Sequence, residues 1–143
     1  MKSKILSSSL IFSLCIYIVY SEFVETTYLV NQGNMLTSGV EVYEDVFCNV
    51  PLSSINWGSL FPDSSKDVLT YVFNPNQLDV CLNISYGSFV PEIASNYLFL
   101  SWDYVNHSIW AYHVLGVEFT LNVSSDIQNV TDFEFTIILE AWS

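Results

Sequence analysis

Arginine is absent from this chain of 143 residues, and lysine occurs only three times, at Lys2, Lys4 and Lys66. Affinity for nucleic acid comes from Lys and Arg neutralising phosphates, so the composition argues against a nucleic-acid partner. It argues equally against docking on anionic lipid heads. Histidine is nearly as scarce. His107 and His113 stand alone, with none of the further ligand spacing a zinc site needs. His107 falls in a predicted turn. His113 falls on a predicted apolar strand face, where a hydrogen-bonded core role is expected rather than that of a base. No Gly-x-Ser-x-Gly elbow occurs.

Glu118 with Glu134, or Glu134 with Glu140, would share a sheet face as sugar hydrolysis requires, but 15 acidic residues make such pairings expected by chance. The acidic stretches Asp63–Asp67, Glu44–Asp45 and Asp126–Asp132 match no calcium loop such as the EF-hand. The expectation is therefore a protein with no catalytic residues, no cofactor and no metal, and not an enzyme.

Long apolar runs are lacking too, with one exception. Lys2 and Lys4 give a basic head, Ile5–Tyr20 is apolar, and Val19 and Ser21 suit a cleavage site. That is the pattern of a secretory signal peptide over residues 1–21. About 16 apolar residues fall short of the ~20 a membrane span needs, so no stable span is expected after cleavage. Residues 22–143 then form one domain, secreted and extracellular. All 15 acidic side chains lie in it against the single Lys66, a net charge of −14 with His neutral. With half the chain apolar and aromatics abundant, that charge does not signal disorder.

Cysteine is reduced to two once Cys15 leaves with the signal. Cys48 and Cys81 make an even pair in an oxidising compartment, so a disulfide between them is expected. It would close a loop worth roughly 3–4 kcal/mol by chain entropy. Four Asn-x-Ser/Thr triplets open at Asn83, Asn106, Asn122 and Asn129, which predicts N-glycosylation and exposure of all four.

What the chain does have is β-pattern. Seven runs rich in β-branched and aromatic residues cover Glu22–Val30, Val40–Val50, Val68–Phe73, Leu78–Tyr86, Tyr97–Asp103, Ile109–Val123 and Phe133–Ala141. Glu44 breaks the second and marks a strand end or a bulge. Asn31–Gly39 reads as a polar break and Pro51–Asp67 as a loop, with one helical turn at Ser64–Asp67. Gly87–Asn96 is a loop around Pro91 with helical character from Glu92. Turns rich in Gly, Pro and Asn separate the runs, and no helix is convincing. The fold class is all-β, a single antiparallel β-sandwich of about seven strands.

Two hairpins are expected. One joins Val68–Phe73 to Leu78–Tyr86. The other is symmetric about Asn106, placing Trp102 opposite Trp110, Leu100 opposite Tyr112 and Leu98 opposite Val114. The odd positions from Ile109 to Val123 form a core face. Trp110, Tyr112 and Val114 lie on the other, where they are covered by a loop, moved by a bulge at Gly116, or exposed as an aromatic patch. Exposed Trp and Tyr are the residue types of interface hot spots. Trp102, Trp110 and Tyr112 are therefore the candidate contact residues for an extracellular protein or glycan partner. A self-associating structural or coat glycoprotein, or a truncated ectodomain of a larger membrane protein, is the alternative.

Overall fold

The computed structural model describes residues 29–143. The predicted signal peptide and most of the predicted first strand lie outside the described residues. Among the described residues, eight strands form two four-stranded sheets packed as a β-sandwich. They are β1 (Leu29–Ser38), β2 (Glu41–Tyr43), β3 (Ser54–Leu60), β4 (Ser65–Phe73), β5 (Cys81–Val90), β6 (Leu98–Trp102), β7 (Val114–Val123) and β8 (Asp132–Trp142). One sheet runs β3-β1-β8-β5 and the other β2-β4-β7-β6. All pairings are antiparallel except β1 with β8. A 3-10 turn at Glu92–Asn96 is where helical character was expected.

The last strand illustrates how the core forms. Phe133, Phe135, Ile137 and Leu139 alternate with outward Glu134, Ile138 and Glu140, and all four are buried. From β7, Val117, Phe119, Leu121 and Val123 supply the opposite wall. Phe135 stacks between Phe89 (5.1 Å) and Trp57 (6.4 Å). Each such side chain removed from water contributes roughly 1.5–3 kcal/mol.

Three expected breaks are strands or strand ends. β1 runs through the polar stretch Asn31–Ser38; between Gln32 and Ser38 its buried positions are Gly33 and Met35, which gives no apolar alternation to read. Gly33 is small for a reason: a Cβ there would stand 3.0 Å from Trp57 Nε1. β3 lies inside the supposed Pro51–Asp67 loop. Its alternation is masked by a bulge, since Asn31 pairs Gly58 while Gln32 pairs Asn56, and Gly58 takes a left-handed φ of 68°. Ile55, Trp57 and Leu60 therefore all face inward and are buried. The supposed helical turn at Ser64–Asp67 is the start of β4. The second predicted strand, in contrast, stops at Tyr43, next to Glu44.

Neither hairpin has the expected geometry. β4 pairs with β2 and β7, whereas β5 pairs with β8 in the other sheet. Residues 74–80 thus cross between sheets rather than turn back. β6 and β7 do pair, but through an eleven-residue connection, Asp103–His113. Trp102 lies opposite Phe119, Leu100 opposite Leu121 and Leu98 opposite Val123. Phe119 stands nine residues beyond the expected Trp110. An odd displacement swaps the faces, so Leu98 and Leu100 point into the core. Gly116 makes no bulge; it pairs with Tyr71 in an unbroken register.

The predicted Cys48–Cys81 bridge is also absent, and both are free, half-buried thiols. Cys48 lies in the loop after β2, an edge strand that contacts β1 and β4. Cys81 opens β5, the edge strand at the other end of the opposite sheet. The two therefore adjoin edge strands of different sheets.

Candidate functional site

The connection Asp103–His113 crosses one end of the sandwich and is held at each step. Tyr104 is buried. Its hydroxyl accepts from Leu82 N–H (3.1 Å) and donates to His107 O. Burial raises the phenol's pKa, partly offset by that Leu82 bond. Ile109 and Val80 exchange both backbone bonds, at 2.7 and 3.0 Å. These contacts satisfy the start of the free edge of β5, at Val80 and Leu82.

Asn74, at the end of β4, is the hub. It is fully buried, and its Nδ2 donates to the carbonyls of Leu78 (2.9 Å), Ile109 (3.0 Å) and Trp110 (3.2 Å). Its backbone N–H donates to His113 O and its carbonyl accepts from Tyr112 N–H, both at 3.0 Å. Asp79 Oδ1 accepts from Ala111 N–H at 3.0 Å. The backbone from Ile109 to His113 therefore has few ways to move.

On this pinned backbone, Trp110 is 64% exposed and Tyr112 59% exposed. Tyr112 has a left-handed φ of 59°, a conformation costly for a bulky residue and concentrated at functional positions. His113 is exposed rather than a core residue. Its ring meets Trp110 edge to face at 5.4 Å, and its Nδ1 lies 2.9 Å from Ala111 O. Leu78 and Trp142 are exposed at the same end and line a shallow depression with Gly39.

The outer face of β4 and β7 continues from here. Phe73 lies opposite Val114, and Tyr71 lies opposite Gly116 on one side and Tyr43 on the other. The space left by Gly116 is approached by Leu69 and Tyr71. Tyr43 donates to Glu41 at 2.6 Å, which pushes its pKa up to about 12. The candidate site is thus an aromatic corner where this face meets the Asp103–His113 connection.

Of the three predicted contact residues, Trp110 and Tyr112 are brought together there and Trp102 is not. Trp102 is half-buried, with its ring 6.1 Å from core Phe119 and 5.1 Å from Tyr104. The four sequon residues, Asn83, Asn106, Asn122 and Asn129, are all exposed. Asn122 pairs with Ser65, eight residues from Val114 along β7, or about 27 Å at strand rise. A glycan there would leave the aromatic corner open. Asn129 lines an open depression of about 710 Å³ with Pro91, Asp132 and Glu134 at the other end.

A second ordered feature escaped sequence reading. Asp45 accepts from the N–H groups of Phe47, Asn49 and Val50 at 2.9–3.0 Å and from Asn49 Nδ2 at 3.2 Å. Desolvation works against its charge, but the four bonds together lower its pKa. Burial, then Asp45 and Glu41, raise the neighbouring Cys48 thiol. A single Asp, Asp45, just past a strand end, with Asn49 four residues on, was the available signal.

For catalysis little converges. Glu118 lies on β7 and Glu134 on β8, in different sheets, and Glu134 and Glu140 are six residues apart on one strand. That is about 20 Å, far beyond the 5–9.5 Å of glycosidase pairs. Among the described residues no His, Cys, Asp and Glu cluster of metal-site form occurs. Fold and site together define a β-sandwich with an exposed, rigidly mounted aromatic corner. The chain matches no protein-family model, no curated protein and no solved structure.

Proposed function

We propose that this chain is a secreted, N-glycosylated β-sandwich that works by binding a protein or glycan partner outside the cell through the aromatic corner at Trp110 and Tyr112. One observation carries the reading: two large aromatic side chains stand exposed on a backbone fixed by a buried asparagine. Exposed aromatics usually cost nothing when mobile and scattered. Here the fold spends a buried polar hub and a left-handed tyrosine on holding them outward. Rigid Trp and Tyr contribute most at interface centres, because little conformational freedom remains to be lost on association.

The test is affinity capture with the glycosylated chain as bait, beside a Trp110→Ala variant. Capture should weaken at least tenfold in the variant while secretion and melting temperature hold. If secretion is lost instead, Trp110 is structural and the reading fails. Capture of further copies of the chain alone would identify a self-associating coat component.

A further inference from the structure

The aromatic corner carries charge of one sign. Asp79 touches it directly through Ala111 N–H. Glu41 lies one strand over, opposite Phe73, and Glu118 lies four residues along β7 from Val114. All three are exposed, and none has a cationic partner among the described residues. The bonds that Asp79 and Glu41 accept occupy one oxygen each. Lys66, the only Lys or Arg after Lys4, lies on β4 opposite Leu121. It is seven residues from Phe73, or about 24 Å along the strand. The corner thus offers an exposed indole and free carboxylates with no Lys or Arg nearby; the one basic ring there is His113, which meets Trp110 edge to face.

Resting on the binding reading above, we infer that the partner is a protein and that it presents a basic segment here. An Arg or Lys side chain lies on Trp110, with its charge met by Asp79 and attracted at longer range by Glu41 and Glu118. Trp is the best side chain for receiving a cation on its face. Arg suits the position best, being planar, weakly hydrated and able to stack and hydrogen-bond together. A neutral sugar would stack on the ring and donate its hydroxyls to the carboxylates, but it would leave their charge uncompensated, and a sulfated or sialylated one would be repelled. A basic segment uses both features. The domain's net charge also steers such a partner in from solution, with an on-rate that falls as salt rises.

The test measures binding of the secreted, glycosylated chain to an Arg-Gly-Ser peptide. Comparison probes are the same peptide with Gln, and with Glu, in place of Arg, and a neutral oligosaccharide. The Arg peptide should bind, and both twins should fail to. Its affinity should drop when salt is raised above about 0.15 M. Trp110→Ala should weaken it tenfold or more, and Trp110→Phe less. Asp79→Asn keeps the acceptor for Ala111 N–H but removes the charge, so it should weaken binding several-fold at an unchanged melting temperature.

Equal binding of the Arg and Gln peptides would overturn the inference. So would Arg-peptide binding that Trp110→Ala leaves untouched, which would mean diffuse charge attraction only. If the oligosaccharide binds through Trp110 and the Arg peptide does not, the aromatic corner stands as a binding surface and the cationic partner is wrong. If no probe binds, the inference also falls, and the capture experiment decides the broader reading by itself.

Discussion

Asn74 shows how one residue can set the geometry of a distant surface. By composition it belongs to a turn, Asn-Pro-Asn-Gln. Its partners, Ile109 and Trp110, lie 35 and 36 residues away, so its role was not legible from local pattern. Asn74→Ala would take the donor from the Leu78 carbonyl, leave the Ile109 and Trp110 carbonyls with only Val80 N–H and His113 N–H, and open a void. The expected cost is about 2–4 kcal/mol in denaturant unfolding, with faster amide exchange at Ala111–His113; a loss under about 0.5 kcal/mol would contradict the assignment. Tyr104→Phe should cost about 1–2 kcal/mol, because Leu82 N–H loses its acceptor. Asp45 makes a pH-dependent claim. Its pKa is depressed in the folded state, so its contribution is present above the ordinary carboxylate value and is lost as pH falls through the folded value. Thermal melts of the wild type and Asp45→Asn should therefore differ near neutral pH and converge in acid.

At the scale of elements, the unbroken alternation of β8 was legible, whereas β3, with its bulge, and β1, with Gly33 at an inward position, were not. β8 reads off Phe133, Phe135, Ile137 and Leu139 at a glance. β3 does not, because the bulge at Trp57–Gly58 shifts the inward phase between Trp57 and Leu60. β1 hides because Gly33 leaves room for an indole instead of contributing an apolar side chain of its own. Gly33→Ala should accordingly destabilise the sandwich by about 1–3 kcal/mol through overpacking against Trp57, Phe135 and Ile137. The β6–β7 pairing was expected, and its register was not. A tight turn at Asn106 satisfies local rules, but it would take Tyr104 and Ile109 out of the core, and burial of both outweighs the shorter loop, whose extra length costs little. Cross-strand proton contacts between Leu100 and Leu121, rather than Leu100 and Tyr112, check this directly.

For the whole molecule, the class was legible because period-two alternation and turn residues recur along the chain. Which strands share a sheet was not, since β4 and β5 are adjacent in sequence yet separated into two layers. The same separation keeps Cys48 and Cys81 apart. A thiol reagent should label both in the native chain without prior reduction; labelling that requires reduction would mean the two are bridged. Half of the candidate site was visible in advance. Trp110 and Tyr112 stood out by residue type and by their phase against the core face. Trp102 looked equivalent and is instead half-packed on Phe119, a consequence of the register alone.

The central claim is that the aromatic corner is a binding surface and not part of the core. Its most direct test compares capture by the wild-type chain with capture by Trp110→Ala/Tyr112→Ala, using Phe99→Ala, an exposed aromatic change near Asn122 on β7, as the control. We expect the double variant to be secreted, to melt as the wild type does and to lose capture by tenfold or more, while Phe99→Ala keeps it. Capture undiminished in the double variant, or lost equally in the Phe99 control, would contradict the account.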